Sequence, residues 1–322
     1  MEKFKDNSGA ALIVTLLVVV VLTVTVTEFL YATWVDYALA ADFRDDSKAI
    51  HAVRAGVRAA RAIIVEDFKQ AKAFDSYNEM WAQPSIPIPF YNSFVFITIQ
   101  DEYGKLNLNS LVKAQTGRPT GGVNEGMYKV FQRLLENIDV DIEVADAITD
   151  WIDSDNDGYY EYGIYQSKEF PYDCKNYYLD SLDEIKLIEG VTPEVFEKIK
   201  KYVTVGKSSA KKININTASP ELIMALHDNI SRPLMETIIN ARKEASFKKI
   251  PDLKELSGFE DYNSWNEEIS TGEVLFSSLI GVNSKTFSVS VTTTIGEVTR
   301  SAEAIYWDRN GVDAKLIYFR IL

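Results

Sequence analysis

SGAALIVTLLVVVVLTVTVT, residues Ser8 to Thr27, decides how the rest of the chain is read. No ionisable side chain falls between Asp6 and Glu28, and Ala10 to Thr27 are drawn from Ala, Leu, Val, Ile and Thr. As a helix at about 1.5 Å per residue this run covers roughly 27 Å, close to the thickness of a bilayer core. Lys3 and Lys5 precede it, and the next cation, Arg44, lies beyond Glu28, Asp36 and Asp42. Positive-inside logic puts the amino terminus in the cytoplasm and everything after the run outside.

Three fates are open to such a segment. As an ordinary export signal it would be cut at the small-x-small pattern Ala38-Leu39-Ala40, although Glu28, Trp34 and Asp36 intervene and the apolar run is long for a signal. As a permanent anchor it would stay uncut. In the third, Ser8-Gly9-Ala10-Ala11-Leu12-Ile13-Val14 resembles the processing site of type IV pilin-like proteins. That resemblance implies cleavage after Gly9 by a prepilin peptidase, methylation of the new amino terminus at Ala10, a leader of residues 1–9 and a transmembrane part at 10–30. Pilin-like chains carry a glutamate at the fifth mature position, which here is Val14. In that family the carboxylate offsets a neighbouring subunit's ammonium inside lipid, and a valine cannot. The expected consequence is a subunit that starts or tips a filament.

With 322 residues, 46% hydrophobic and 12% aromatic, the chain can bury a sizeable core in two or so domains. A net charge of −13 argues against nucleic acid, whose phosphates demand clustered Lys and Arg. Cys174 is the sole cysteine, so no intramolecular disulfide can form. His51 and His227 stand far apart, leaving little for imidazole zinc sites or histidine-based catalysis, and no set of nucleophile, base and oxyanion donors is evident. A non-catalytic protein is expected.

Beyond the membrane, Ile50, Val53, Val57, Ala60, Ile64 and Phe68 predict one helix over Ser47–Lys72, continuing the membrane helix and ended by the prolines of Gln83–Pro89. Phe94, Phe96 and Thr98 alternate with Val95, Ile97 and Ile99 as a strand, followed by a turn on Gly104. At the far end Phe287, Val289 and Val291 alternate with Ser and Thr. Gly296 offers a turn, Ala302 to Trp307 follow, and Asn310-Gly311 marks a hairpin before Ala314–Leu322. The expected fold is α+β: a long, partly transmembrane N-terminal helix packed on a small antiparallel sheet, with a large all-α insertion. The boundaries are 31–112 for the first part of the small domain, 113–275 for the insertion and 276–322 for the closing strands.

The insertion contains a repeat: LIEGVTPEVFEKI from Leu187 matches LHDNISRPLMETI from Leu226, and DLKELSGF from Asp252 is a half-copy. With KININTASPELIMAL, these resemble the helix-hairpin-helix units of DNA-uptake receptors. Asp228 in the second turn would repel a phosphate, and charges between Lys212 and Glu255 nearly balance, so no nucleic-acid partner is expected and the hairpins read as packing units.

The strongest local signal is DWIDSDNDGYYEYG, Asp150 to Gly163. Asp153, Asp155, Asp157 and Gly158 reproduce the start of a calcium loop, in which alternate carboxylates converge on one hard cation. An EF-hand would need glutamate at its twelfth position, which is Ile164; Glu161 is the nearest acid able to close the shell, with backbone carbonyls such as that of Tyr159 and water. The expectation is a Ca2+ site that is not an EF-hand, against the plain alternative of a solvated acidic turn. Three carboxylates so close repel without a cation. Asp150 serves either as a ligand or as a cap.

The leader with its valine-bearing helix, DEYGKLNLNSL (Asp101–Leu111), DWIDSDNDG, YLDSLDEIKLIEGVTPEVFEKIKKYVTV and KININTASPE together resemble the minor pseudopilin K family of the type II secretion system, general secretion pathway protein K. The resemblance covers nearly the whole chain. It implies a pilin-like fold with a large helical insertion that binds calcium, and a single-pass inner-membrane protein with a periplasmic carboxyl-terminal domain. It further implies assembly with I- and J-type minor pseudopilins at the tip of a filament of the major pseudopilin, priming a pseudopilus that drives folded proteins across the outer membrane. A minor tip pilin of a type IV pilus shares the same physics and is the related alternative; a helix-hairpin-helix DNA receptor is the unrelated one.

Overall fold

The computed structural model describes residues 8–70, 73–161, 163–206, 212–259 and 276–322. The expected leader falls almost wholly outside them. Helix α1 (Ser8–Lys69) is unbroken from the apolar run into the outer domain. It leads to strands β1 (Ile86–Phe90) and β2 (Ser93–Asp101), the short β3 (Leu106–Asn107) and the hairpin β4 (Val112–Gln115) and β5 (Arg118–Val123). Next come α2 (Glu125–Asn137), α3 (Glu143–Ile152), α4 (Pro193–Ile199), β6 (Val203–Thr204), β7 (Ile213–Asn214), α5 (Pro220–Ala225) and α6 (Arg232–Glu244). The chain closes with α7 (Phe276–Leu279), β8 (Ile280–Gly281), β9 (Phe287–Ile295), β10 (Val298–Trp307) and β11 (Lys315–Ile321).

Five strands form one antiparallel sheet in the order β1-β2-β9-β10-β11, so the last three strands complete a sheet begun before the insertion. Its inner face presents Val95, Ile97 and Ile99 of β2, Phe287, Val289 and Val291 of β9, and Ala302 and Ala304 of β10. Against it lie Ala49, Ala52, Val53, Val57, Ala60 and Ile64 of α1, small or β-branched residues at helical spacing. Close approach depends on Gly56, where a Cβ would sit 2.5 Å from Val291 Cγ1 and 2.8 Å from Val95 Cγ1. The Tyr306 hydroxyl donates to the Val57 carbonyl at 2.9 Å and fixes the crossing point. Phe68 and Ile50, expected on the buried face, turn outward or sit only half-buried.

The prolines read as a helix terminator instead build β1, an edge strand. Ile86, Ile88 and Phe90 point inward while Pro87 and Pro89 face solvent, the arrangement in which proline's missing N–H costs nothing.

The insertion has its own core, which includes Leu106, Leu108, Leu111 and Val112 at one end and Phe276, Leu279, Ile280 and Val282 at the other. Packing therefore puts the junctions near Asp101 and Thr286, outside the expected 112/113 and 275/276. The β4–β5 hairpin and two short parallel pairs, β3 with β6 and β7 with β8, accompany the helices. Both predicted hairpin turns are present: Thr192 and Ser231 precede helices α4 and α6, each with a proline in its first turn.

A broader equivalence runs across those hairpins. LDSLDEIKLIEGV (Leu179–Val191) and FKKIPDLKELSGF (Phe247–Phe259) align residue for residue, each holding a 3-10 turn, Leu182–Leu187 and Ile250–Glu255. Each ends in a glycine at positive φ, Gly190 at 80° and Gly258 at 92°. Upstream, KLNLNS (Lys105–Ser110) matches KININT (Lys212–Thr217), and each opens a parallel pair. The insertion is thus two related units, in which α2–α3 corresponds to α5–α6. The first unit carries two additions: the β4–β5 hairpin, and the loop between Ile152 and Leu179 that holds the acidic cluster.

A buried polar network joins frame and insertion. Asp101, ending β2, accepts from the Thr217 hydroxyl at 2.6 Å, Asn214 Nδ2 at 2.8 Å and the Tyr103 N–H at 2.7 Å. Arg309, between β10 and β11, donates to Asp67 at 3.0 Å and Asp75 at 2.6 Å, and Asp75 also accepts the Ser284 N–H at 2.7 Å.

Candidate functional site

Helix α3 delivers the acidic loop. Its last turn buries Ile148, Trp151 and Ile152, and Asp153 closes it with an N–H donated to the Thr149 carbonyl at 2.9 Å. The chain then folds back so that carboxylate oxygens of Asp153, Asp155 and Glu161 lie within 4.8 Å of one another. Asp153 and Glu161 are buried and Asp155 half-buried.

Two glycines make room. A Cβ on Gly121 of β5 would fall 1.8 Å from Asp155 Oδ2, and one on Gly158 would fall 2.3 Å from Asp150 Cγ. The two additions peculiar to the first unit therefore meet at this cluster, the hairpin supplying the floor and the loop the carboxylates.

Hydrogen bonds satisfy only part of the set. Glu161 accepts the Gly158 N–H at 2.8 Å and Asp155 the Asp157 N–H at 3.1 Å, but Asp153 Oδ1 and Glu161 Oε1 are buried without a hydrogen-bond partner. Among the described residues no Lys or Arg pairs with Asp153, Asp155 or Glu161. Burial raises the Asp153 carboxyl to about 7, reinforced by the charges of Asp155, Glu161 and Asp150; burial likewise raises Asp150 and Glu161. Orphaned buried carboxylate oxygens facing one another suit a hard divalent cation bound by oxygen alone.

Of the four expected ligands, Asp153, Asp155 and Glu161 converge; Asp157 contributes its amide to Asp155 while its carboxylate stays out of the group. Asp150 caps the loop itself, accepting the Tyr160 N–H at 3.0 Å. Sequence reading missed Asn176, which bridges the Asp155 carbonyl and Asn156 Oδ1, each at 2.8 Å, and whose own Oδ1 is buried without a hydrogen-bond partner. Only its φ of 47°, a conformation asparagine tolerates, sets it apart, and that is invisible in sequence. Cys174 in the same loop donates to the Asp150 carbonyl at 3.4 Å, and burial pushes its thiol up to about 11, which disfavours the thiolate.

The second functional element is the inner half of α1. Its apolar window is wholly unburied, and among the described residues it is the one helix long and apolar enough to cross a membrane. Gly9, Ala10 and Val14 lie at its start. The hydroxyls of Thr15, Thr23, Thr25 and Thr27 donate to carbonyls one turn back, at 2.8 to 2.9 Å, so the run exposes no unsatisfied hydroxyl donor to lipid. Phe29, Tyr31, Trp34 and Tyr37 follow, all exposed, as aromatic residues do at a membrane interface.

In the second helical hairpin the turn is closed on itself: the Asn229 N–H reaches His227 Nδ1 at 3.1 Å, and Asp228 pairs with Arg133 of α2. That turn serves packing between α2 and α5–α6.

Two family models, each described as type II secretion system (T2SS), protein K, match residues 104–208 and 213–271, together just over half of the chain. The type II secretion system protein K of Aeromonas hydrophila is 23% identical over 337 residues, spanning 100% of this chain and 98% of that one. Its counterpart from Klebsiella pneumoniae is 25% identical over 189 residues, 54% of this chain and 56% of that one. Among solved structures, the GspK-GspI-GspJ complex from the enterotoxigenic Escherichia coli type 2 secretion system contains a chain of the same fold. The TM-score is 0.68 at 16% identity, covering 87% of this chain and 98% of that chain.

Proposed function

This chain belongs to the type II secretion system protein K family, and from that premise we propose that it is a minor pseudopilin seated at the tip of the periplasmic pseudopilus. The observation that carries the reading is the continuous α1, whose inner half is a lipid-facing anchor and whose outer half is the spine of the small sheet domain. Force applied at the membrane passes along one rigid element to the head. The duplicated insertion makes that head broad, which suits an end cap better than a stacked shaft unit.

The anchor crosses the inner membrane once, with the carboxyl-terminal domain in the periplasm. Prepilin peptidase removes the leader after Gly9, and Ala10 becomes the methylated terminus. Val14 restricts the chain to the apex of a filament of the major pseudopilin, where it joins I- and J-type minor pseudopilins. The partner reading rests on the GspK-GspI-GspJ complex, whose matching chain this one covers almost completely. The role is structural, priming assembly and helping drive folded proteins through the outer membrane, and no reaction is assigned to it.

Ca2+ is the ion proposed for Asp153, Asp155 and Glu161. It supplies the positive charge that three crowded carboxylates lack and staples a loop that no disulfide secures. Nucleic acid is not a proposed partner.

The test is deletion of the gene in its native host, followed by complementation. Export of folded substrates should stop and return with the wild-type chain, which should be recovered with the I- and J-type proteins. Normal export without it would refute the assignment.

A further inference from the structure

The outer half of α1 runs against the charge of the whole chain. Between Ser47 and Val65 it holds Lys48, His51, Arg54, Arg58 and Arg61 and no acid, in a protein of net charge −13. Arg54, Arg58 and Arg61 recur at three- and four-residue spacing and form one exposed flank beside the face that packs on the sheet. Arg61 is tied down, donating to Asp313 at 2.8 Å and the Ala314 carbonyl at 3.3 Å. Arg54 and Arg58 have no acidic partner among the described residues.

Through Arg61, which reaches Asp313 and Ala314 just ahead of Lys315, this flank lies on the β11 side of the helix. Tyr306, whose hydroxyl meets the Val57 carbonyl, feels the charges of both Arg61 and Arg58. Its cross-strand neighbour on β11 is Leu316, and Phe319 pairs with Ala304, so both continue the helix-facing side of the sheet past the helix itself. They are 50% and 39% exposed, on a strand that pairs, among the described residues, with β10 alone. A bare apolar edge strand invites a partner or aggregation unless something covers it.

We propose that this surface, an exposed arginine flank beside an exposed apolar edge strand, is where the neighbouring minor pseudopilin docks, through an acidic helix with one apolar face. The inference rests on the tip reading above and assigns the surface that reading leaves open. Charge complementarity selects the occupant: unpaired arginines at helical spacing call for carboxylates, and Leu316 and Phe319 call for an apolar stripe between them. A membrane surface is out of reach, because Arg54 stands about 40 Å along the helix from Thr27, whereas headgroups extend only about 7 Å beyond the core.

The experiment measures binding of the detergent-solubilised full chain to the purified I- and J-type pair across a salt series. Arg54→Glu with Arg58→Glu should weaken binding about tenfold or more and flatten its salt dependence; Arg54→Gln with Arg58→Gln should weaken it less. Leu316→Glu should also weaken it, with every variant melting within a degree or two of wild type. Unchanged affinity in the charge-reversed chain overturns the proposed surface and leaves the tip reading standing. No binding by the wild-type chain removes the tip reading and this inference together. Salt-sensitive retardation of DNA that vanishes in the charge-reversed chain would assign the flank to nucleic acid and overturn the proposal.

Discussion

Asn109 and Asn216 perform the same task in the two units. The Asn109 carboxamide accepts the Leu179 N–H at 2.8 Å and donates to the Leu179 carbonyl at 3.0 Å, and Asn216 does both for Phe247 at 2.9 Å. Each clamp holds the extended segment entering a 3-10 turn against the loop that opens its unit. Asn216→Ala strips two buried backbone groups of their partners and is expected to cost about 2–3 kcal/mol in denaturant unfolding of the region from Trp34 onward. Asn216→Asp keeps the acceptor, loses the donor and buries a charge, so it should cost more. A loss below about 0.5 kcal/mol in both variants would remove the clamp from any account of stability.

The junction at Arg309 gives a pH dependence with a defined sign. Burial raises the Asp75 carboxyl to about 7, although the Arg309 guanidinium pulls it down. In the unfolded chain the same group ionises near pH 4. Between those values the folded form holds more protons, so the contribution of Asp75 to stability is greatest at low pH and declines as pH rises toward 7. Asp75→Asn preserves an acceptor for Arg309 and cannot titrate. Its melting temperature is expected to vary less between pH 4.5 and 7.5 than that of wild type, by several degrees, in matched thermal scans. Parallel curves would show that Asp75 is ionised throughout.

The parts of this architecture that were legible in sequence are those whose signal is local. An apolar run without charge gives the anchor, and alternation at Phe287, Val289 and Val291 gives a strand, because each depends on the chain's own period. The β1 strand was not legible, since Pro87 and Pro89 break helices anywhere and only their edge position reveals them as strand residues. The repeat of the hairpins was legible, but its extension to two whole units was not, because Asn109 and Asn216 clamp backbone 70 and 31 residues away, where no particular residue type is required. At the acidic loop the alternation of Asp153, Asp155 and Asp157 was visible, but the turn at Gly158 decides which carboxylates meet, and it admits Glu161 in place of Asp157.

That cluster yields the metal prediction. Chelation should lower the melting temperature of the region from Trp34 onward, by an amount corresponding to about 2.7 kcal/mol if calcium is supplied at a hundred times its dissociation constant. Asp153→Ala with Asp155→Ala should abolish the difference between chelated and calcium-loaded samples. Asp157→Ala should largely preserve it, because its carboxylate lies outside the group. Gly121→Ala tests the floor: its methyl collides with Asp155 and should weaken calcium binding although no ligand is replaced. Identical melting with and without chelator would end the calcium assignment.

The anchor yields the prediction on assembly. A glutamate at position 14 would lie in lipid, where its charge is tolerated only beside a cation such as the amino terminus of another subunit. Wild-type chain, having Val14, is expected at filament ends alone when labelled in sheared pseudopili. Val14→Glu creates the missing acceptor, so some label should move into the shafts while the amount of membrane-inserted chain stays the same. Mass measurement of the mature terminus belongs in the same experiment, since the pairing requires cleavage after Gly9 and exposure of Ala10. Wild-type label spaced regularly along shafts would show that a carboxylate at this position is not what separates tip from shaft.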